Sequence, residues 1–213
     1  MKIVIRNERE SDFTAVEELT REAFWNLNFP GCNEHYLVHV LRNHPDFIIE
    51  MDYVAEVDNK IVGNIMYTKS HVVDERENEV ETLTFGPLSV LPDYQRRGIG
   101  TALINFTKEI AVKNNAKAII ILGHPHFYCK LGFRNSIDFM VSNSEGRYPY
   151  GQLMLELEKG FFKDTKWKFL YSPVYNFDSK AADDFDKQFS LKTKEFRPTQ
   201  EEFSIAVRAY LFK

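Results

Sequence analysis

The sequence predicts a mixed α/β fold, a mostly antiparallel central sheet with helices on both faces. Three observations predict it. A helical stripe, Ile99, Leu103, Phe106 and Ile110, is followed at once by the apolar run Ala118–Leu122. Two strand-like runs, 53–57 and 60–70, flank Asp58-Asn59 as a hairpin does. The element order β-α-α-β-β-β-α-β-α-β-β then mixes hairpins with one βαβ unit.

Taken in order, Ile3 to Arg6 reads as an opening strand. Ser11 or Asp12 is placed to cap a helix carrying Val16, Leu19, Ala23 and Phe24, which Pro30-Gly31 breaks. Asn33 caps a second helix with Leu37, Val40 and Leu41, ending before Pro45. The polar stretch 76–81 runs as a loop into a strand, 81–90. That strand contains Gly86-Pro87, and neither residue supports a regular ladder, so the pair marks a bulge or a parting of strands. A helix over 98–114 precedes the strand 118–122, whose continuous β-branched run suits burial on both faces. Pro125 to Leu131 reads as a short helix closed by Gly132. Strands near 139–142 and 152–157 complete the pattern.

The 213 residues carry 27 Lys+Arg against 31 Asp+Glu, a net charge of −4. With 44% hydrophobic and 27% charged residues the composition is that of a globular chain, which excludes collagen-like, disordered and disulfide-scaffold classes. A mildly acidic balance argues against nucleic acid or an anionic membrane as the main partner. Cys32 and Cys129 are too few for a disulfide framework, and no apolar run reaches membrane-spanning length, so the expected location is the cytoplasm.

Two segments are expected: a domain over 1–158 and an aromatic-rich extension over 159–213. Residues 160–213 hold 13 of the 30 aromatics, so this stretch must pack on something, its own domain or an interface such as a homodimer's. Thr199 and Glu202 read as a capping box, and Phe203, Val207, Tyr210 and Leu211 as one helical stripe behind it.

The chemistry concentrates in two places. The strand ending Leu88-Ser89-Val90 leads through Gln95-Arg96-Arg97-Gly98-Ile99-Gly100-Thr101 into a helix. The first amides of a helix lack internal partners, and with the dipole and two arginines they form an anion site. No Gly-Lys-Ser/Thr follows, so this is not a Walker A loop, and the Gly-x-Gly-x-x-Gly dinucleotide fingerprint is absent. Downstream, the buried strand opens into Gly123-His124-Pro125-His126-Phe127-Tyr128-Cys129-Lys130-Leu131-Gly132-Phe133.

With both motifs in place, the chain resembles the GNAT superfamily of acyl-CoA-dependent N-acetyltransferases, in element order over about 3–157 and most sharply between Leu83 and Phe133. The resemblance implies an acyl-CoA N-acyltransferase fold whose fourth and fifth strands splay apart around the pantetheine arm of acetyl-CoA. It implies cosubstrate binding by Leu88, Ser89 and Val90 and by Gln95, Arg96, Arg97, Gly98, Ile99, Gly100 and Thr101, with no metal. It further implies direct attack of an amine on the thioester. Tyr128 would protonate the departing thiolate. An amine of pKa ~10.4 must shed a proton at a cost of roughly 4.6 kcal/mol at pH 7. Glu81, Glu34, His35 and a water chain are all open as the base, and none is assigned. Phe29, Glu34 and His35 are the candidate substrate contacts.

Other groups read more blandly. His35 and His39 stand four apart on a helix without the acidic partner of a zinc motif, so they read as a packing pair. His124 and His126 suit caps of the short helix. Cys129 points away from the Tyr128 face, and Cys32 lies in the loop after the first helix. Phe24 and Trp25 line a pocket or belong to the core. The alternative to an enzyme is a weakly catalytic acyl-CoA-binding regulatory module with a C-terminal partner surface.

Overall fold

A computed structural model describes residues 1–212. The chain forms two compact units: residues 1–67, 86–107 and 173–202 in the first, and residues 68–85, 108–172 and the chain from 203 onward in the second. In order, the elements up to the first long helix are β1 (Val4–Asn7), α1 (Phe13–Phe24), α2 (Glu34–Leu41), β2 (Tyr53–Val57), β3 (Lys60–Asp74), β4 (Glu79–Val90) and α3 (Ile99–Lys113). Then follow β5 (Ala118–Leu122), α4 (Pro125–Tyr128), β6 (Arg134–Asn135), β7 (Val141–Ser142), β8 (Tyr148–Pro149), β9 (Gln152–Glu156) and β10 (Trp167–Leu170). The remainder is α5 (Ser179–Asp186), α6 (Pro198–Arg208) and β11 (Tyr210–Leu211).

In the first unit β1 pairs antiparallel with β2, and β2 with β3. Asp58 and Asn59 close the hairpin with φ of 51° and 62°, the left-handed pair that a two-residue turn needs and that Asp and Asn tolerate. Successive strand side chains face opposite ways, and β3 shows what each side meets. Met66 joins Val54, Val16, Leu37, Val38 and Leu41 in one core. Tyr67, next in sequence, reaches the other side and bonds Thr107 of α3 at 2.9 Å. Helices thus cover both faces here.

The second unit is built on β5. It pairs parallel with β4 through Leu83 and Ile119, and antiparallel with β9 through five registered pairs. Ala118, Ile119, Ile120 and Ile121 are all buried, at roughly 2 kcal/mol for each isoleucine. β6 extends the sheet beyond β9, and β10 pairs with β3 and with β7. Val72, Ala118, Ile120, Val141, Met154, Phe162, Trp167 and Phe169 make its core.

Six local expectations are corrected. Asp12 precedes α1, but its carboxylate goes to Arg6 at 2.6 Å and to the Arg9 amide at 2.9 Å rather than to the helix amides. Asn33 makes no side-chain cap; its own amide donates to Glu34 at 3.0 Å. His124 precedes α4 without a side-chain cap. Residues 136–139 form a 3-10 turn, capped by Asn135 accepting from the Ile137 amide at 3.0 Å, and the strand is only Val141–Ser142. At the C-terminus Thr199 lies inside α6 and its hydroxyl donates to the Leu27 carbonyl at 3.1 Å, so it is no cap. Nor does the helical stripe continue past Arg208, because Tyr210 and Leu211 leave the helix to pair with Pro149 and Tyr148.

Candidate active site

In the first unit, the end of β4, the following turn and the start of α3 form one continuous element. Ser89 is buried, its hydroxyl 3.0 Å from Thr20, while Leu88 and Val90 are half-buried. Gln95 turns back, its side-chain amide donating to the Val90 carbonyl at 3.1 Å. Arg96 and Gly98 both hold positive φ, 58° and 85°, and this tight reversal presents the α3 N-terminus. Gln95, Arg96, Arg97 and Gly98 are exposed, Gly100 and Thr101 half-buried, and Ile99 buried as the anchor. The first intrahelical bond runs from the Ala102 amide to the Gly98 carbonyl at 2.9 Å, so the amides before it have no partner within the helix. Tyr94 lies between two cations, 5.5 Å from Arg97 and 5.7 Å from Lys60.

Gly63 makes this placement possible. A Cβ there would come within 2.9 Å of Ile99 Cγ2 and 3.2 Å of the Ser89 carbonyl, so any larger residue on β3 would push the helix start away. A glycine inside a strand signals such a close approach, but its partner 36 positions on is invisible from sequence.

The substrate candidates also belong to the first unit. Glu34 opens α2, its oxygens held by the Asn28 side chain at 3.1 Å and the Asn33 amide at 3.0 Å; desolvation raises its pKa. His35 is fully buried, with Nε2 3.0 Å from Asp186 and Nδ1 3.4 Å from Cys32 Sγ, and its ring packs on Phe185 and Phe189. Burial lowers its pKa to about 4, with Asp186 pulling the other way, so the imidazole is neutral at pH 7. Cys32 is buried too and desolvation pushes its thiol up, which leaves it protonated and inert. Phe29 is half-buried, Trp25 donates to the Thr193 carbonyl at 3.0 Å, and Arg21 lies 4.3 Å over the Trp25 ring. His39 sits 3.0 Å from Glu17 and stacks near Phe185, the packing role expected of it. Among the described residues no cluster of His, Cys, Asp and Glu could hold a metal ion.

In the second unit, Tyr128 ends α4. The Cδ2–Cε2 edge of its ring abuts Gly123, where a Cβ would meet Cε2 at 2.4 Å and Cδ2 at 2.8 Å. Phe85, Phe127 and Phe133 surround it at centroid distances of 5.8, 4.9 and 5.7 Å. Gly123 is itself pinned by its amide donating to the Gly151 carbonyl at 2.9 Å. Desolvation by this cage raises the hydroxyl pKa, and no charge or hydrogen bond contributes, so Tyr128 keeps its proton across neutral pH. Gly123 and Phe85 set where the Tyr128 ring lies, and motif reading missed both contacts. Glu81 is exposed and pairs with Lys69 at 3.4 Å, and Cys129 is exposed.

Comparison with known proteins defines the class. The fold matches the GNAT family N-acetyltransferase YhbS of Escherichia coli, solved with CoA, at a TM-score of 0.70 with 20% identity, covering 83% of this chain and 93% of that one. A GNAT acetyltransferase of Brucella melitensis, solved with acetyl-CoA, gives 0.63 with 23% identity over 82% and 98%. The model of the acetyltransferase (GNAT) domain matches residues 51–135. An N-acetyltransferase of Oceanobacillus iheyensis is 32% identical over 123 residues, 54% of this chain and 72% of the relative. Another, YjhQ of Escherichia coli, is 29% identical over 39% of this chain, and the chain covers 45% of that relative's length. The chain belongs to the GNAT acetyltransferase family.

Proposed function

We propose that the protein transfers an acetyl group from acetyl-CoA to a primary amine of a small molecule or protein by direct attack. The observation that carries this reading is the β4–turn–α3 element, in which free helix amides and two exposed arginines follow a strand end with a buried serine. Residues 96–101 supply donors suited to a pyrophosphate, and Gln95 holds the turn against β4. Leu88 and Val90 offer backbone groups to the pantetheine amides, and the Leu88 amide faces the thioester carbonyl as an oxyanion donor. The molecules solved with the two Escherichia coli and Brucella relatives, CoA and acetyl-CoA, support the choice of cosubstrate.

Tyr128 holds its proton until the sulfur leaves and then donates it. Its apolar cage suits that duty, since it keeps the hydroxyl neutral. The reading requires no metal, nucleic acid or membrane, and it places the protein in the cytoplasm. No helix among the described residues is long and apolar enough to cross a membrane. Residues 1–158 make up the transferase domain, and the aromatic stretch 159–213 packs on it or at an interface.

The test is release of CoA thiol from acetyl-CoA with a panel of n-butylamine, phenethylamine, spermidine and lysine. Tyr128→Phe is expected to lower kcat by about 10²-fold or more while the Kd for CoA stays within twofold. Unchanged turnover in that variant removes Tyr128 as the acid. CoA binding without turnover of any amine favours the regulatory-module alternative.

A further inference from the structure

We infer that Tyr175, contributed by the C-terminal stretch, forms the wall on the acceptor side of the thioester and selects which amines reach it; this deepens the transferase reading and rests on it. Tyr175 ends the 3-10 turn Pro173–Tyr175. The Cε1–hydroxyl edge of its ring approaches Gly86 of β4, where a Cβ would meet Cε1 at 3.8 Å and the hydroxyl at 4.0 Å. The hydroxyl donates to the Gly86 carbonyl at a long 3.5 Å. Gly86 stands two residues before Leu88, so their Cα atoms are at most about 7 Å apart. Leu88 carries the amide assigned to the thioester carbonyl, so the phenol and that amide share one short stretch of β4.

The ring is held in place. Tyr175 packs against the core of Val16, Leu37, Met66 and Val174, so its position is set by the same residues that join α1 and α2 to the sheet. A methyl group at 86 would meet Tyr175 at ordinary contact distance, so the phenol closes directly over the Gly86 backbone. The phenol oxygen and the Gly86 carbonyl it bonds both carry partial negative charge, which attracts an alkylammonium and repels a carboxylate. The acceptor class that fits is a cationic alkylamine with no carboxylate beside the amino group.

The test uses bromoacetyl-CoA on the full-length Tyr175→Cys variant. The introduced thiolate displaces bromide: a sulfur–carbon bond forms, the carbon–bromine bond breaks, and the thiol proton passes to buffer. Peptide mass spectrometry reads the introduced thiol separately from Cys32 and Cys129. Alkylation at least about tenfold faster than with bromoacetamide, and suppressed by excess CoA, is expected from a bound electrophile. Equal rates with the two reagents, while bromoacetyl-CoA still raises the melting temperature, overturn the placement of Tyr175 and leave the transferase reading intact. If bromoacetyl-CoA neither stabilises the protein nor competes with CoA, the transferase reading fails and takes this inference with it. Should Tyr175→Cys not fold, Tyr175→Leu is compared on n-butylamine and lysine. A change of tenfold or more in their kcat/KM ratio, with the KM for acetyl-CoA within twofold, supports the wall; an unchanged ratio overturns it.

Discussion

Alanine at position 123 tests how far turnover depends on the placement of the Tyr128 ring. The added Cβ would lie 2.4 Å from Tyr128 Cε2, against an ordinary contact of about 3.4 Å or more, so the ring must retreat by about 1 Å. Phe85, Phe127 and Phe133 pack around the ring, and the hydroxyl moves with it as it retreats. A misplacement of 1 Å in a reacting group costs about 10²-fold in rate, and that is the loss expected in kcat for Gly123→Ala. Overpacking also costs about 1–3 kcal/mol of stability, so turnover is measured well below the melting transition. Thiol release is followed with the fastest amine of the panel, for Gly123→Ala, Tyr128→Phe and the double variant. If the methyl group acts through the hydroxyl, the double variant is no slower than Tyr128→Phe. A kcat for Gly123→Ala within threefold of wild type, or losses that multiply in full, refutes the reasoning.

Two further outcomes concern the first unit. Asp52 is buried and hydrogen-bonded to Glu8, and desolvation first and that neighbour second push its pKa up to about 9, so it folds protonated. A carboxyl raised in this way stabilises the fold fully at low pH, and that contribution is lost as pH rises from about 4 to 9, at up to about 1.4 kcal/mol per unit. Asp52→Asn keeps a donor toward Glu8 without the titration, and urea melts at pH 6 and pH 8.5 are expected to show a smaller fall than in wild type. Asp186→Ala strips buried Arg21 of a two-bond partner at 2.6 and 3.2 Å, and a loss of about 3 kcal/mol in urea unfolding at pH 7 is expected; a loss under about 1 kcal/mol contradicts it.

Elements whose cause is local were legible. Ala118 to Ile121 are buried because nothing polar interrupts the run, although its last residue, Leu122, is 64% exposed against expectation, and Asp58-Asn59 turns because those side chains accept positive φ. The Gln95–Thr101 turn was legible for the same reason, its arginines and glycines standing next to one another. What escaped depends on partners far along the chain. Thr199 bonds Leu27, and His35 lies against Asp186, and no local pattern announces either pair. Tyr210 continues a helical period yet leaves the helix, because β8 offers a strand partner and Arg147 lies 4.1 Å over its ring. Tyr175 was one aromatic among many in the C-terminal stretch, and only the fold brings it to Gly86.

The central claim is that the β4–turn–α3 element binds acetyl-CoA, and a thermal-shift titration with acetyl-CoA, CoA and ATP tests it most directly. At 100 times Kd a ligand that binds only the folded state adds about 2.7 kcal/mol, a rise of roughly 5–10 °C for a chain of this size. The account predicts that rise with acetyl-CoA and CoA, little with ATP, and its loss in Arg96→Ala/Arg97→Ala. No shift with any CoA species at millimolar concentration contradicts it.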